Sequence, residues 1–467
     1  MDSAKNSQPQ HQISSIKLPL SNVYAKGDFC AQLRIGSQHT PVNLILDTGS
    51  STLAVDVGKY QPDEDTLLTA TSYAQEVNYG VGGWDGPVVL TQIGIGSDTN
   101  AEKSADASVG NRAETSAITL PQCHVALVAN KQQQTSFFDA DGILGLGYHH
   151  LNKGYDLSRY FNQQNITPAL TYPWPFNCSS NTTPDSKQNA AEKQPDSDNL
   201  PSFKHFLWQQ PEQDIVPYFT ELTQHGLVSN KFGFYCQRSS IHVDSPNDSS
   251  SLKQLAADPL NQGWLILGEA EQHTELYQGQ FKQLKVLHDV YYNVNLVSMQ
   301  VGAGSAIAAA PLQTQYLNSA FSNAIIDTGA SCIAITDALY QALRQQIASC
   351  NAKLLPLIDA FKDFSAQDTG IDMQQLDLAA WPDITFHFSG AQSADANQTD
   401  TVGITITAQD YWQLNTPKHG KACFKIIGQL ADWPNQSIMG LPLMTSYYLV
   451  FDRAQAQLGV VKFAQQT

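Results

Sequence analysis

The sequence predicts a mostly β protein built from two related halves. An apolar run that ends in Asp-Thr-Gly occurs at residues 44–49 and returns at residues 324–329. Each half also contains an apolar-apolar-Gly element, at residues 143–145 and 438–440, so one plan is repeated twice. The remaining apolar runs are short. Several alternate with polar residues, as at residues 384–388, which is typical of half-buried strands.

The two Asp-Thr-Gly runs are the candidate catalytic elements. An apolar strand that stops at Asp47 or at Asp327 directs a carboxylate out of a packed sheet, and two such carboxylates in one chain could face each other. The threonine hydroxyl can hydrogen-bond the backbone, and the glycine lets backbone N–H groups approach the carboxylate closely. The predicted supporting residues are Thr48, Gly49, Ser50, Thr328 and Gly329.

These motifs resemble those of the pepsin-like aspartic protease family, and the resemblance covers most of the chain from Ser15 to Ala464. It implies a bilobal fold with an active-site cleft between two related β lobes. It also implies an aspartic endopeptidase that hydrolyses extended polypeptides at acidic pH, is inhibited by pepstatin, and uses no cofactor and no metal. Within the family the chain looks most similar to bacterial pepsin homologues of the shewasin type.

The expected domain organisation follows from the positions of these motifs. Residues 1–14 are expected to form a disordered tail. Residues 15–284 are expected to form the N-terminal lobe, which also contains the flap, and residues 285–467 the C-terminal lobe, each with one Asp-Thr-Gly run. Polar stretches near residues 97–116 and 150–213 predict insertion loops in the N-terminal lobe.

The chemistry expected of such a pair follows from electrostatics. Two carboxyl groups in one site cannot both ionise cheaply, so the pair shares one proton over a range of acidic pH. The charged member can take a proton from water, while the protonated member can hydrogen-bond the scissile carbonyl.

Candidate wall residues near Asp47 are Ile45, Ile143 and one of Phe137 or Phe138, although core packing explains these side chains equally well.

Residues 77–86 have the glycine spacing and the tyrosine of the flap in pepsin-like enzymes, a hairpin that folds over the substrate. The alternative is an ordinary Gly-rich hairpin. The predicted flap residues are Tyr79, Gly80 and Trp84. A turn on residues 81–82 would place Tyr79 directly opposite Trp84. The indole N–H of Trp84 could then donate a hydrogen bond to the tyrosine hydroxyl. The same arrangement occurs in the flap of β-secretase, which this flap resembles. Otherwise Trp84 only fills a pocket wall.

Two positions depart from the secreted pepsins. Ala54 stands where those enzymes have a tryptophan, and Ala330 stands where many have a threonine. Ala330 cannot donate a hydroxyl to Asp327 as Ser50 can to Asp47, which predicts a higher pKa for the pair. The family's inhibitory prosegment is also absent before Ser15, so the chain is expected to be active without N-terminal cleavage.

Composition limits the partners. The formal net charge of −17 on 467 residues disfavours nucleic acid and anionic membranes. The polar start shows no secretory signal, and no apolar run reaches the roughly 18 residues of a membrane span. The seven cysteines are an odd number without close pairs, which predicts free thiols in a reducing compartment. We therefore expect a cytoplasmic monomer whose partner is a peptide or an unfolded protein.

Two other function classes compete with the protease hypothesis. A pepsin-fold binding or inhibitor protein that has lost catalysis usually carries damage in an Asp-Thr-Gly run or in the flap, and both runs and Tyr79 are intact here. An actin-like ATPase also repeats Asp-x-Gly loops after apolar strands. That fold needs many long helices, and this sequence predicts few.

Overall fold

A computed structural model of the protein describes residues 15–79, 82–96, 118–131, 137–176, 200–246, 251–391, 400–429 and 433–467. The predicted tail at 1–14 and the insertion at 97–116 lie outside the described residues. Strands predominate in the described part, as the sequence predicts.

The strands of the first half belong to one large sheet. In chain order they are β1 (Ile16–Ala25), β2 (Asp28–Ile35), β3 (Thr40–Asp47), β4 (Leu53–Asp56), β5 (Thr69–Tyr79), β6 (Gly82–Ile95), β7 (Ile118–Val128), β8 (Asn130–Lys131), β9 (Gly142–Gly145), β10 (Lys153–Asp156), β11 (Glu212–Asp214), β12 (Lys231–Cys236), β13 (Gln262–Leu267) and β14 (Tyr277–Lys285).

The strands of the second half form three smaller sheets and also extend the large one. They are β15 (Asn293–Val294), β16 (Leu296–Val301), β17 (Ile307–Ala308), β18 (Ala324–Ile326), β19 (Ile333–Ile335), β20 (Ile371–Asp372), β21 (Ile384–Ser389), β22 (Thr401–Ile406), β23 (Trp412–Leu414), β24 (Lys421–Phe424), β25 (Ile426–Gly428), β26 (Ser437–Met439), β27 (Tyr447–Asp452) and β28 (Val460–Gln466).

The α-helices are short, apart from one. They are α1 (Ser158–Gln163), α2 (Leu200–Leu207), α3 (Tyr218–Gln224), α4 (Leu252–Ala257), α5 (Asp337–Cys350), α6 (Leu355–Asp359) and α7 (Ala408–Tyr411). The long helix α5 follows from its sequence: the Thr336 hydroxyl accepts a hydrogen bond from the Leu339 N–H at its start, and Leu339, Leu343 and Ile347 form its buried face. In the described part of the chain, no helix is both long enough and apolar enough to cross a membrane.

The two halves repeat one arrangement around their Asp loops. In the first half, β3 pairs in parallel with β9, and β9 pairs antiparallel with β4. In the second half, β18 pairs in parallel with β26, and β26 pairs antiparallel with β19. Gly145 and Gly440 end the two parallel strands, where a Cβ atom would lie 2.4 Å from the Ser51 carbonyl carbon and 2.2 Å from the Cys332 oxygen. The predicted internal repeat and its close backbone approach are both confirmed.

Strands from both halves meet in the large sheet. Strand β12 of the first half pairs with β27 of the second, and β14 pairs with the C-terminal β28. The predicted lobe boundary after residue 284 therefore falls at the end of β14, a strand that hydrogen-bonds to the second half. One hydrophobic cluster extends through both halves and includes Phe232 and Phe451, whose rings stack 4.7 Å apart.

The described parts of the stretch near residues 150–213, which the sequence predicts to be a loop, contain regular secondary structure. They contain β10, α1, α2 and β11, and they have a hydrophobic cluster of their own. The buried members of that cluster are Ala74, Leu157, Phe161, Trp174, Phe176, Phe203 and Leu207. Aromatic residues spread along a polar sequence build this cluster, so local composition alone did not reveal it. We call the described residues 150–176 and 200–213 the inserted segment.

Candidate active site at the two Asp loops

The two Asp-Thr-Gly loops meet at the centre of the molecule. Strand β3 ends at Asp47 and β18 ends at Ile326, directly before Asp327. Asp47 is buried and Asp327 is half-buried. Both strands are central and apolar, so each carboxyl group leaves the sheet at a position fixed by packed backbone. The structure thus brings together the two candidate catalytic residues predicted from the sequence.

The two threonines tie the loops together by a symmetric exchange of hydrogen bonds. The Thr48 N–H donates to Thr328 Oγ1 at 3.1 Å, and the Thr328 N–H donates to Thr48 Oγ1 at 2.9 Å. Each hydroxyl then donates across the interface, Thr48 to the Ile326 carbonyl at 2.9 Å and Thr328 to the Leu46 carbonyl at 3.0 Å. All these groups are buried, so each bond is made in a low-dielectric interior. The loops therefore have little freedom to separate.

The two glycines allow the carboxyl groups to come close. The Gly49 N–H donates to Asp47 Oδ1 at 2.8 Å, and the Gly329 N–H donates to Asp327 Oδ1 at 2.9 Å. A Cβ atom on Gly49 would lie 2.8 Å from Asp327 Oδ2, and one on Gly329 would lie 2.6 Å from Asp47 Oδ1. Each loop thus passes over the carboxyl group of the other, and any side chain at either glycine would force the pair apart.

Burial and proximity shift the ionisation of the pair. Burial raises the pKa of Asp47, while hydrogen bonds from its own loop and from Asp327 oppose that shift. Burial raises the pKa of Asp327 well above its ordinary value, and the charge of Asp47 raises it further. A hydrogen bond between the two carboxyl groups favours the charged form of Asp47 and the protonated form of Asp327. The burial and proximity of the two carboxyl groups therefore favour one proton shared by the pair over two charged carboxylates.

The loops differ at the residue after the glycine. The Ser50 hydroxyl lies beside the Asp47 carboxylate and lowers the pKa of that group, although its oxygen has no hydrogen-bond partner of ordinary geometry among the described residues. Ala330 occupies the same place beside Asp327 and offers no hydroxyl. A hydroxyl therefore lowers the pKa at the Asp47 loop, and the Asp327 loop has no hydroxyl at the equivalent residue.

The hairpin of β5 and β6, which we call the flap hairpin, has a different register from the predicted one. Tyr79 pairs with Gly82 and Trp84 pairs with Val77, so the predicted direct opposition of Tyr79 and Trp84 is wrong. A Gly-rich stretch is compatible with more than one two-residue turn, so its composition does not fix the register of the two strands. Gly80 and the side chain of Tyr79 lie outside the described residues.

Trp84 is fully buried beneath the flap hairpin. It packs in a cluster that contains Ala54, the residue at the tryptophan position of secreted pepsins, together with Ile45. A large side chain on β6 therefore accompanies a small one on β4. The ring of Trp84 thus fills space in this cluster, and its hydrogen bond to the Tyr79 hydroxyl stays a prediction.

The candidate wall residues take different positions. Ile45, Ile143 and Phe137 are buried in the same cluster as Trp84, and the first two belong to the paired strands β3 and β9 that position Asp47. Phe138 is exposed, with a backbone φ of 55° and the Lys26 ammonium 4.9 Å from its ring centre. Between the two phenylalanines, Phe137 is the one that packs beneath the site.

The sequence interpretation missed a third acidic group at the site. Strands β2 and β3 pair Cys30 with Ile45, so carrying the register on by two residues sets Asp28 across from Asp47. Burial raises the pKa of Asp28 to about 8, the charge of Asp47 raises it too, and Lys425 opposes the shift. One Asp28 oxygen is buried without a hydrogen-bond partner among the described residues. The short turn at residues 36–39 between β2 and β3 could have given the signal, because its length fixes which residues lie opposite.

Tyr291 is a second neighbour that the sequence did not reveal. Burial raises the pKa of its phenol, and the charges of Asp47 and Asp327 raise it further.

Within the described ranges, no three His, Cys, Asp or Glu side chains come together in a way that could hold a metal ion.

Comparison with known proteins places this geometry in a family. The sequence profile described as "Eukaryotic aspartyl protease" matches residues 213–465, a range that includes Asp327. A β-secretase of Strongylocentrotus purpuratus is 20% identical over 453 residues, which covers 93% of this chain and 66% of that protein. The first Asp loop lies before the range matched by the profile, and the structural repeat extends the likeness to it.

Proposed function

The chain belongs to the eukaryotic aspartyl protease family, and from this membership we propose that it is an aspartic endopeptidase that cleaves extended polypeptides at acidic pH. The observation that carries the proposal is the hydrogen-bonded pair of Asp47 and Asp327, clamped by the crossed Thr48 and Thr328 bonds. Two carboxyl groups with only a structural role would be unfavourable at the meeting point of two loops, because burying them together costs desolvation free energy.

The proposed mechanism assigns a role to each carboxyl group. A water molecule between them is the nucleophile, and the charged Asp47 takes its proton as it attacks the peptide carbonyl carbon. Protonated Asp327 donates a hydrogen bond to the carbonyl oxygen, which carries the developing negative charge. The proton that Asp47 took from the water then passes to the leaving nitrogen as the C–N bond breaks, which returns Asp47 to its charged form. The glycine N–H groups keep each carboxylate in place through these steps.

Substrate and setting are proposed on the same basis. An extended peptide suits a cleft between two lobes, because it offers backbone hydrogen bonds and alternating side chains. The described cysteines Cys30, Cys123, Cys236, Cys332, Cys350 and Cys423 carry free thiols, which supports a reducing compartment. We propose that a peptide or unfolded protein is the substrate and that a monomer suffices, because both carboxyl groups come from one chain. Similarity to bacterial homologues of the shewasin type stays a prediction.

The proposal is tested by cleavage of an unfolded protein at pH ~4, with and without pepstatin. We expect Asp47→Asn and Asp327→Asn each to lower kcat/KM by more than about a hundredfold, because the reaction needs one charged and one protonated carboxyl group. Circular dichroism should show that both variants stay folded.

The control for that experiment is Asp372→Asn, which changes an exposed aspartate in β20 and should leave the rate unchanged. Near wild-type turnover by either dyad variant would contradict the assignment. Pepstatin binding without any cleavage would instead favour the catalytically inactive binding protein.

A further inference from the structure

The inserted segment is joined to the outer strand of the flap hairpin by backbone pairing. Strand β10 pairs with β5, with Tyr155 opposite Ala74. The Leu157 N–H donates to the Ser72 carbonyl at 2.9 Å, beyond the end of that ladder. Ala74 is also part of the inserted segment's own hydrophobic cluster. The flap strand is therefore a structural element of both the flap hairpin and the inserted segment.

Inside the molecule, one buried asparagine joins the inserted segment to the flap and to the first Asp loop. Asn152 Oδ1 accepts a hydrogen bond from Gln75 Nε2 at 2.8 Å and another from Thr52 Oγ1 at 2.9 Å. Its Nδ2 donates to the Ile215 carbonyl at 2.9 Å. Gln75 belongs to β5, and Thr52 follows the Asp47 loop. Every polar atom of the Asn152 side chain thus has a partner that fixes its position.

On the other face of the same strand, helix α2 holds the next residue. The Lys204 ammonium lies 3.5 Å from Glu76 Oε2, and the Trp208 indole N–H donates to Glu76 Oε1 at 2.9 Å. Lys204 and Trp208 are one helical turn apart, so they reach the two oxygens of one carboxylate together. The side chains of Lys204 and Glu76 are only 5% and 10% exposed, so the ion pair is shielded from water.

Successive residues of a strand project to opposite faces, so the inserted segment holds β5 from both sides, through Gln75 and through Glu76. Directly opposite Glu76 on β6 lies the buried Asp85, and two carboxylates in that relation repel each other. The Lys204 ammonium offsets this repulsion. Removing it should loosen the hairpin at this pair, three residues before Tyr79.

We propose that the inserted segment positions the flap hairpin over the cleft, and that Lys204 and Glu76 are its positioning residues. This inference rests on the proposed protease function, because the placement of the hairpin affects turnover only if a peptide binds beneath it. Lys204 and Glu76 act on the substrate through β5, so they should influence substrate binding more than the chemical step.

The test compares two lysine substitutions in the inserted segment. Lys204→Met removes the ammonium beside Glu76, whereas Lys153→Met removes one that pairs with Glu212 and Asp214 within strands β10 and β11. For Lys204→Met we expect KM to rise about three- to tenfold with kcat within about twofold, and for Lys153→Met no change. Lys204→Arg, which keeps the charge, should restore most of the lost affinity.

A readout independent of turnover is hydrogen exchange of the backbone amides of β5, followed by mass spectrometry. We expect exchange there to rise about tenfold in Lys204→Met and to stay unchanged in Lys153→Met. Adding Glu76→Gln to Lys204→Met should reverse part of the increase, because it removes one of the two carboxylate charges that face each other across the hairpin.

The outcomes separate this inference from the proposed function. Unchanged exchange in Lys204→Met, or an equal increase in both lysine variants, would overturn the inference. A fall in kcat with KM unchanged would overturn it too, because it would place the effect in chemistry. If the wild type cleaves nothing, the proposed function fails, while the exchange comparison still decides whether the inserted segment positions the hairpin.

Discussion

Protonation of Asp28 should make the stability of the folded chain depend on pH. The raised pKa of Asp28 means that the folded chain binds this proton more tightly than the unfolded chain does. Stability from this group is therefore fully present below the unfolded value near 4 and is lost as pH rises toward about 8. The cause is burial beside Asp47, which the ammonium of Lys425 offsets only in part.

We predict that Asp28→Asn removes this decline. The free energy of unfolding of both proteins is measured with urea across pH. The difference between the variant and the wild type should shift in favour of the variant by more than about 1 kcal/mol between pH ~4 and pH ~8. The matched control is Asp372→Asn, an exposed aspartate, which should follow the wild type. A variant curve parallel to the wild type would show that Asp28 keeps an ordinary pKa.

The second residue-scale prediction concerns Ala330. Ala330→Thr adds a hydroxyl beside Asp327, where the other loop has Ser50, and a donor to the charged carboxylate lowers its pKa. The upper apparent pKa of the pair should fall, so the pH profile of kcat/KM should move to lower pH. Ala330→Val has the same shape without the hydroxyl and should leave the profile in place. A profile that moves upward, or moves equally in both variants, would contradict the prediction.

At the scale of elements, Trp84 shows how the cluster below the flap is filled. The side chain is fully buried beside Ala54, so Trp84→Ala should leave a cavity and lower the free energy of unfolding by about 3–5 kcal/mol. Trp433→Ala, at an exposed tryptophan, should change it by less than about 0.5 kcal/mol. Denaturant unfolding measures both variants. A small loss for Trp84→Ala would show that the pocket wall does not depend on this ring.

The elements also show what the sequence could and could not predict. The Asp loops were predictable because an apolar run, a carboxylate and a glycine are local features, and each sits on a central strand. The register of the flap hairpin was not, because the stretch around Gly80 allows more than one turn. The inserted segment was missed because its cluster joins Phe161, Trp174 and Phe203, which lie far apart in a polar sequence.

At the scale of the whole molecule, the two lobes share backbone and side chains behind the site. The Arg453 side chain of the second half donates to the Gly147 carbonyl at 2.8 Å and to the Tyr292 hydroxyl at 2.7 Å. Gly147 follows the first apolar-apolar-Gly strand, which threads beneath Asp47. Movement of one lobe against the other would strain the contacts of Arg453. We therefore expect the distance between the two carboxyl groups to depend on contacts that lie away from the site.

Substitution of Phe451 tests whether the contacts between the halves make the two lobes unfold together. Phe451 lies on β27, pairs with Phe232 of β12, and its ring stacks on that of Phe232. Phe451→Ala should lower the free energy of unfolding by about 3–5 kcal/mol. Because the neighbours of Phe451 belong to both halves, amide exchange in β12, β13 and β28 should rise together.

The control is Phe388→Ala, which creates a cavity of the same chemistry in β21. The strands β16 and β22 that pair with β21 both lie in the second half. The effect of Phe388→Ala on exchange should therefore be largest in β16, β21 and β22. Equal protection of β12 and β13 in Phe451→Ala and the wild type would mean that the lobes unfold independently, and that the shared sheet does not set the spacing of Asp47 and Asp327.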